Sequence, residues 1–535
     1  MFALAILIGI YSYIIYFLGI AGLLFKNLVL IFTLGYVALA SLYFRNKILN
    51  IFYDLKKIIA FKDTLSLTLI ILIATQLIIN FIGVLGPEIS FDALWYHLTL
   101  PKIYILNNHI FHIPGNLLYY TDMPKLTEML YISALMFSNE ILAKFIHFAF
   151  GVLILIALYK ISRMYFSKIL SLLVGVIFYA NLVVGWESIS AYIDLSRTFF
   201  ELMALWGFLC WIKEKQVKWI ILSGLMLGLS ISSKLIASES LIIFVVLFMV
   251  QGLTGKKKMY LTAKDILVFL FSSLLIPLPW FVFSFLNTKN PVYPFFDKGL
   301  DLGTNFIFPN IFNLPKDFLN FFLFSSDPVS PIYLIILPLL VIFFLKAKNE
   351  FRVLYIYSLI AVVLWYFTPR IGGGRFILPY LPAFSLLTVY ALNILKNTRI
   401  KNFILIVIIF ISLTSIGYRA LAIKKYIPVI LGKETKTEFL TKNLNFSFGD
   451  FYDTDGYFRN TIKQNDKVLL FGFHNLYYVN FPFIDSSWVK KGDKFNYIAV
   501  QNSELPKRFS NWQQIYYNPI TRVKLYSLEN KQWVY

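Results

Sequence analysis

The sequence is dominated by apolar segments of roughly 20 residues, the length at which a helix crosses a bilayer with every backbone hydrogen bond made internally. About thirteen segments meet this criterion. We place them near residues 2–24, 27–44, 64–86, 140–162, 168–185, 189–212, 217–233, 235–252, 265–286, 331–346, 352–368, 376–395 and 402–418. The sequence therefore predicts an all-α polytopic protein that is embedded in a lipid bilayer.

The composition supports this prediction, because 59% of the residues are hydrophobic, 14% are charged and the mean hydropathy is +0.71. A formal net charge of +21 could indicate a nucleic-acid partner. The basic residues, however, form short clusters between apolar segments, where membrane topology and anionic lipid explain them. We therefore predict no nucleic-acid partner. Cys210 is the only cysteine, which excludes an intramolecular disulfide and a cysteine-based metal site.

Lysine and arginine indicate the orientation, because short cytoplasmic loops of membrane proteins are enriched in them. With a cytoplasmic N-terminus, every loop on the inner side carries a basic cluster. The clusters are Arg45/Lys47/Lys56/Lys57/Lys62, Lys160/Arg163/Lys168, Lys213/Lys215/Lys218, Lys256/Lys257/Lys258/Lys264, Lys346/Lys348/Arg352 and Lys396/Arg399/Lys401. The sequence therefore predicts a multi-pass protein of the cell membrane, with residues 87–139, 287–330 and the C-terminal region outside the cytoplasm.

Two domains are predicted. Residues 1–418 form the transmembrane domain, whose first outer loop, 87–139, carries interfacial helices at about Asp92–Leu106 and Pro124–Phe137. Residues 419–535 contain no spanning segment and are predicted to form a small extracytoplasmic α/β domain. Its predicted elements are a helix at Glu434–Asn443, strands at Lys467–Phe473 and Phe495–Gln501, and a hairpin around Asn518 and Pro519.

Ionisable side chains gather at the predicted outer ends of the helices. They are Glu88, Asp92, Asp194, Lys234, Arg370 and Arg375. Charges near a bilayer cost several kcal/mol unless they pair or line an aqueous cavity, so they indicate function by default. A carboxylate can take the proton from an attacking hydroxyl, while cations hold a departing phosphate. The mixture suits a reaction on a lipid-linked substrate at one membrane face.

Each of these residues also has a structural interpretation. Asp92 could simply begin a helix capped by Ser90, where the helix dipole favours the ionised carboxylate. Lys234 could grip a phosphate or be a lysine that extends from a helix end into water. Arg375 follows three glycines, which let backbone and guanidinium approach a ligand closely.

The helix that begins near Asp194 carries further charges. Arg197 and Glu201 stand at i and i+4, and we expect them to neutralise each other in a structural role. Asp194 has no such local partner and is the better site candidate.

Histidines in the first outer loop raise the possibility of a metal site. His97, His109 and His112 lie among acidic residues, but no DxD or HExxH motif occurs nearby. A divalent cation, Mg²⁺ or Mn²⁺, could still bridge Asp92, Glu88 and a substrate phosphate. The sequence thus assigns no metal ligand and no certain cofactor. His147, inside a predicted span, is expected to be a hydrogen-bonded core residue.

The order of motifs resembles that of bacterial and archaeal membrane glycosyltransferases of the C superfamily, in the dolichyl-phosphate-mannose protein mannosyltransferase-like group. The matching stretches are "FDALWYHLTLPKIYI", "MPKLTEMLY", "SAYIDLSRTFF", "GLMLGLSISSKLIA", "LPWFVFSFLNTKNPVYPFF" and "GRFILPYLPAF". The resemblance covers nearly the whole membrane part. It implies an inverting transfer of a sugar from a polyprenyl-phosphate donor to an extracytoplasmic protein, lipid or glycan.

By this resemblance Asp92 takes the catalytic position, and Asp194, Lys234 and Arg375 take supporting positions at the donor. We add Glu88, Tyr96 and His97 as further substrate-binding candidates, because they flank Asp92 in the first outer loop. Aminoarabinose transferases and protein mannosyltransferases carry a second acidic residue directly after the loop aspartate, where this chain has Ala93. This difference leaves the acceptor class and metal use open.

Two other function classes stay open at this point. A polytopic transporter or flippase for a lipid-linked or anionic substrate would also carry charges near its spans. Such proteins often contain an internal repeat of hydropathy, and no convincing repeat is present. A scaffold whose outer domain binds a partner is the third possibility.

Overall fold

The computed structural model describes residues 1–59, 63–255, 258–297, 309–324, 328–368, 370–528 and 533–535. Several predicted features lie outside the described residues or concern side chains that are not described. These are Lys62, Lys256, Lys257, the middle of the outer region 287–330, and the side chains of Lys47, Lys56, Lys57 and Arg370.

Helices make up the membrane part of the chain. They are α1 (Phe2–Ile20), α2 (Lys26–Ile59), α3 (Thr64–Val84), α4 (Thr99–Asn107), α5 (Leu126–Phe137), α6 (Glu140–Ser162), α7 (Lys168–Tyr179), α8 (Leu182–Glu187), α9 (Asp194–Glu214), α10 (Val217–Ser233), α11 (Glu239–Thr254), α12 (Met259–Leu275), α13 (Leu278–Thr288), α14 (Leu314–Phe324), α15 (Ile332–Phe343), α16 (Asn349–Phe367), α17 (Leu381–Ile394) and α18 (Thr398–Ile423).

Among the described residues, eight helical segments are long and apolar enough to cross a membrane. They are Phe2–Ile20, Lys26–Arg45, Thr64–Val84, Glu140–Ser162, Asp194–Glu214, Leu235–Thr254, Asn349–Phe367 and Thr398–Ile430. Shorter apolar helices occupy the other predicted spans. The predicted all-α, multi-pass class is confirmed, while the number of spans stays a prediction.

Two predicted spans are interrupted, each for a local reason. The segment 265–286 bends by 61° between α12 and α13, where Pro277 and Pro279 remove backbone donors. The segment 168–185 breaks at Asn181, whose side-chain amide donates to the carbonyls of Ile177 and Phe178 at the end of α7. Its Oδ1 accepts the backbone N–H of Ser330 at 2.6 Å, which anchors a later part of the chain to the break.

Helix α9 is the centre of the bundle and packs against α6 and α10. The approach of α10 is close, because a Cβ atom added at Gly207 would lie 3.0 Å from the Cα of Ser223. A glycine at this position therefore lets the two helices meet backbone to backbone.

The first outer loop is helical, as predicted, but irregular at its start. Helical structure begins at Phe91, passes through one wide π turn at Ala93–His97 and continues as α4. Pro101 does not end this helix, since it lies in the first turn of α4, where a missing N–H is tolerated. The second predicted helix of the loop is α5.

The C-terminal region contains the described strands. Three short helices come first, α19 (Ile427–Ile430), α20 (Lys436–Asn443) and α21 (Tyr457–Thr461). The strands are β1 (Val468–Phe471), β2 (Phe483–Asp485), β3 (Lys494–Phe495), β4 (Tyr497–Val500), β5 (Gln513–Tyr517), β6 (Lys524–Ser527) and β7 (Trp533–Val534). The five-stranded sheet has the order β2-β1-β4-β6-β5. Its β2-β1-β4 half is parallel, and its β4-β6-β5 half is antiparallel.

The sheet region contacts the first outer loop directly. The Lys102 ammonium donates to the carbonyls of Tyr477 and Val479, both at 2.6 Å, and to Asn480 Oδ1 at 2.8 Å. The Tyr478 hydroxyl donates to the Glu88 carbonyl at 2.8 Å. The C-terminal region and the first outer loop therefore lie on the same side of the helical bundle. The boundary proposed at residue 419 falls inside α18, which continues to Ile423.

We expect this shared side to be extracytoplasmic, because the basic clusters lie at the opposite ends of the helices. An alkaline phosphatase fused after Tyr535 should be active in cells, whereas one fused after Arg163, between α6 and α7, should be inactive. The opposite pattern in this pair of fusions would place the C-terminal region in the cytoplasm.

Candidate active site

Asp92 and Arg375 form an ion pair between distant parts of the chain. Arg375 Nη1 lies 2.8 Å from Asp92 Oδ2, and the Tyr96 hydroxyl donates to the same oxygen at 3.3 Å. Arg375 ends a short helical turn, Arg370–Arg375, in which Gly373 has φ of 52° and ψ of −131°. Only glycine adopts such a conformation readily. Gly373 therefore lets the backbone turn so that the Arg375 guanidinium reaches Asp92.

Tyr192 holds both partners of this ion pair. Its hydroxyl accepts the backbone N–H of Asp92 at 3.1 Å, and its ring centroid lies 4.7 Å from the Arg375 guanidinium carbon. The Tyr131 hydroxyl in turn donates to the Tyr192 carbonyl. Sequence analysis missed Tyr192, although it stands only two residues before Asp194 in the "SAYIDLSRTFF" motif.

Asp194 and Lys234 form a second ion pair, with Lys234 Nζ 2.7 Å from Asp194 Oδ1. Asp194 is the first residue of α9, and Lys234 follows the last residue of α10. Lys234 Nζ also lies 5.2 Å from the ring centroid of Phe376. Because Phe376 follows Arg375 directly, the two ion pairs are neighbours. The structure thus brings together Asp92, Tyr96, Asp194, Lys234 and Arg375.

The four charged side chains differ in accessibility. Asp92, Arg375 and Lys234 keep 14%, 12% and 16% of their side-chain surface exposed, whereas Asp194 keeps 1%. A substrate can therefore contact Asp92, Arg375 and Lys234, whereas the buried carboxylate of Asp194 fixes the position of Lys234. Among the described residues, Tyr96 and Arg375 both contact Asp92 through Oδ2. The other oxygen, Oδ1, can therefore accept a hydrogen bond from a substrate.

The charge states of the pair follow from their surroundings. Burial disfavours the charge of Arg375, but Asp92 and Asp194 together raise its pKa well above the ordinary value. Burial raises the pKa of Tyr96 well above its ordinary value, so its hydroxyl stays a neutral donor. The site therefore presents a charged guanidinium and a neutral phenol to the Asp92 carboxyl group.

Glu88 and His97 lie nearby but are buried. Glu88 Oε1 accepts the backbone N–H groups of Ile89 and Ser90 at 2.8 and 2.7 Å, and Oε2 accepts that of Ala191 at 2.5 Å. Glu88, and not the side chain of Ser90, thus binds the amides before the helix. His97 Nδ1 lies 2.8 Å from Glu128 Oε1. Both residues support the loop in this structure, and their contact with a substrate stays a prediction.

Glu128 is a second residue that sequence analysis missed. It is buried in α5, and it holds His97 against the loop. A glutamate inside the apolar stretch "MPKLTEMLY" was the available signal, since such a residue is rarely buried without a partner.

Arg197, Glu201 and His147 make hydrogen bonds inside the bundle. Arg197 and Glu201 make no direct ion pair with each other. Arg197 Nη2 donates to the Tyr380 hydroxyl at 3.3 Å, and Glu201 Oε1 accepts from the Tyr357 hydroxyl at 2.9 Å. His147 is a hydrogen-bonded core residue, as predicted, because its Nε2 accepts the backbone N–H of Leu195 at 3.0 Å.

The residues around Asp92 do not fit a metal that bridges it to Glu88. Glu88 directs both carboxylate oxygens at backbone amides, and Asp92 faces the guanidinium of Arg375. Within the described parts of the chain, no three His, Cys, Asp or Glu side chains form a group that could hold a metal ion. The positive charge beside Asp92 comes from arginine.

We expect Glu88→Gln to destabilise the protein by about 1–3 kcal/mol, because an amide presents a donor to backbone N–H groups that need an acceptor. Thermal melting in detergent checks this. Glu504→Gln, at an exposed position, is the matched control and should melt like the wild type. Equal melting of both variants would show that the Glu88 carboxylate does not hold the loop.

Comparison with known proteins places this geometry in context. Residues 129–279 match the sequence profile of the dolichyl-phosphate-mannose-protein mannosyltransferase family. ArnT from Cupriavidus metallidurans in the apo state has 12% identity and a TM-score of 0.56, covering 86% of this chain and 97% of that chain. Its structure bound to undecaprenyl phosphate has 11% identity and a TM-score of 0.54, with the same coverage. No curated protein sequence matches significantly.

The chain therefore shares the fold of ArnT. Residues 129–279 also confirm the predicted resemblance to the dolichyl-phosphate-mannose-protein mannosyltransferase family.

Proposed function

We propose, on the basis of this resemblance, that the protein is an integral-membrane glycosyltransferase that moves a sugar from a polyprenyl-phosphate donor to an extracytoplasmic acceptor with inversion. The observation that carries the proposal is the pair of adjacent ion pairs. One partly exposed carboxylate, Asp92, and two partly exposed cations, Arg375 and Lys234, meet at one end of the bundle. The match to a structure with bound undecaprenyl phosphate supports the class of donor.

The two cations would bind the donor phosphate. Arg375 can offer N–H groups in a fixed fork, and Lys234 adds a point charge from the neighbouring pair. Phe376 follows Arg375 in the chain and lies against the Lys234 ammonium, where it would keep water from the phosphate.

Asp92 would act as general base. Its carboxylate takes the proton of an acceptor hydroxyl, whose oxygen attacks the anomeric carbon from the face opposite the phosphate. The bond from that carbon to the phosphate oxygen breaks with its electron pair, and the polyprenyl phosphate leaves. Lys234 and Arg375 stabilise the negative charge that develops on the phosphate. A single displacement of this kind inverts the anomeric configuration.

The Asp92–Arg375 pair gives a reason for donor binding to precede acceptor activation. In the structure the Arg375 guanidinium contacts Asp92 Oδ2. A donor phosphate would also bind this guanidinium and compete with Asp92 for its N–H groups. Asp92 would then be released to contact the acceptor hydroxyl only when the leaving group is in place.

The direct test of the proposal is transfer by purified protein from a panel of radiolabelled polyprenyl-phosphate sugars, with nucleotide sugars as the comparison. We expect label to move only from a lipid-linked donor, with release of polyprenyl phosphate. Transfer from nucleotide sugars would refute the donor class. Movement of intact donor across proteoliposomes without bond cleavage would instead indicate a flippase.

Arg375→Lys tests the donor contact. A lysine keeps the charge but loses the bidentate fork, so we expect the donor KM to rise by about tenfold. Arg352→Lys, at an exposed position near the start of α16, is the matched control. An unchanged donor KM in Arg375→Lys would remove this residue from the phosphate site.

A further inference from the structure

A groove of about 650 Å³ separates the first outer loop from the C-terminal sheet. Its described lining residues come from 102–114 in the loop and 464–493 in the sheet region, so it is distinct from the cluster around Asp92. The volume lies in the usual range of small-ligand sites, about 300–1,000 Å³.

The groove is preformed. Lys102 uses its ammonium to hold the carbonyls of Tyr477 and Val479 and the side chain of Asn480, which fixes the segment 477–480 to α4. The backbone N–H of Tyr477 also donates to the Leu94 carbonyl at 3.2 Å. Leu94 belongs to the helical turn that carries Asp92, so the groove and the active site share one rigid support.

Aromatic rings line this groove. Phe111 comes from the loop, and Phe481 and Trp488 come from the sheet region. Phe481 is fixed because it stacks on Phe458, with ring centroids 5.0 Å apart. Half-buried aromatic rings at the edge of a groove suit the apolar faces of sugar rings, and the side-chain amides of Asn107 and Gln464 in the same groove suit neighbouring hydroxyls.

The charged residues of the groove are mainly basic. Lys467 and Lys490 line it, against one carboxylate, Asp493, whose Oδ2 already accepts the backbone N–H of Lys490 at 2.7 Å, while the Lys102 ammonium is already bound to Tyr477, Val479 and Asn480. His112 also faces the groove and is oriented by Asp122, whose Oδ2 lies 2.8 Å from its Nδ1. Asp122 is 1% exposed, and its Oδ2 also accepts from the Thr121 hydroxyl at 3.1 Å. The groove therefore complements a negatively charged ligand.

We propose that this groove binds the acceptor, and that the acceptor is an anionic oligosaccharide. The identification of this ligand as the acceptor rests on the proposed function, whereas the binding of an anionic saccharide can be tested without any transfer. The aromatic rings and amides select the sugar, and the lysines select its acid groups. A groove tied to the Asp92 helix would position a long acceptor relative to the base.

The test uses full-length protein in nanodiscs and measures binding by calorimetry. The probes are hexagalacturonate, neutral maltohexaose and a hexaglutamate peptide. We expect hexagalacturonate to bind at least about tenfold more tightly than maltohexaose, as one charge-assisted contact allows. Hexaglutamate should bind more weakly than hexagalacturonate because it has no sugar rings. Absence of hexagalacturonate binding, or equal binding of hexaglutamate, would overturn the proposal.

Variants locate the site. Lys467→Ala and Trp488→Ala should each weaken hexagalacturonate binding by about tenfold. Lys524→Ala and Tyr517→Ala, at exposed positions on strands outside the groove, are the matched controls and should bind like the wild type. Equal affinity in the groove variants and the controls would place the ligand elsewhere.

The two proposals fail in different ways. If the variants lose binding but no lipid-linked donor supports transfer, the groove stands and the proposed function fails. If transfer occurs and the groove variants leave the acceptor KM unchanged, the function stands and the groove inference fails. Asp92→Asn should bind hexagalacturonate normally, because Asp92 does not line the groove.

Discussion

Asp92→Asn is expected to lower turnover by about 10²–10⁴-fold, equivalent to about 3–5 kcal/mol of barrier, the range of a positioned general base. The amide keeps the shape of the side chain but cannot take the acceptor proton. Donor binding should persist, because Lys234 and Arg375 remain. Initial rates with saturating donor and acceptor check the prediction.

The control for this variant is Asp466→Asn, on a surface turn of the C-terminal region where the carboxylate accepts the backbone N–H of Lys463. It should retain wild-type turnover. If Asp92→Asn retained more than about a tenth of the wild-type rate, the effect would fall below that of a general base. Asp194 would then be the next carboxylate to test.

Lys234→Met is expected to be the most destabilising change at the site. Asp194 is 1% exposed, and without Lys234 it would be a buried carboxylate whose nearest cation is gone. Breaking a buried ion pair in this way costs about 3–5 kcal/mol. The variant should also use the donor poorly, since Lys234 is one of the two cations proposed to hold the phosphate. Unfolding in mixed micelles measures the first effect, and the donor KM measures the second.

The double variant Asp194→Asn/Lys234→Met separates these effects. It removes both charges, so stability should recover most of the loss while donor use stays poor. Recovery of both would show that Lys234 acts only by neutralising Asp194. Recovery of neither would show that the two residues hold the helix ends by packing.

Much of the site could be predicted because charges near a membrane are rare. Charged residues at the ends of apolar segments are conspicuous in the sequence. The structure brings four of them together, namely Asp92, Asp194, Lys234 and Arg375. Their pairing could not be predicted, since Asp92 and Arg375 are 283 residues apart in the chain.

The sequence also does not show which way a side chain points. Glu88 stands close to Asp92 in the chain, yet it points at backbone amides of its own loop and of Ala191. Tyr192 and Glu128 were missed because they act through other side chains, and an aromatic residue or an isolated glutamate in an apolar stretch carries no motif.

The fold shows the same division between local and distant information. The strands at Val468–Phe471 and Tyr497–Val500 and the hairpin of β5 and β6 were predicted, because apolar residues with turn signals at both ends indicate strands. The parallel placement of β2 beside β1 was not, since it depends on a crossover and not on local pattern. The bend between α12 and α13 could have been predicted from Pro277 and Pro279.

The most direct measurement is the anomeric configuration of the product formed by purified wild-type protein from a polyprenyl-phosphate sugar of known configuration. Proton NMR of the anomeric signal reads the configuration, and mass spectrometry reads the released lipid. Attack by an acceptor oxygen activated at Asp92 predicts an inverted product and one polyprenyl phosphate for each sugar transferred. A product with retained configuration would contradict this account, because a single displacement from the face opposite the phosphate inverts the anomeric carbon.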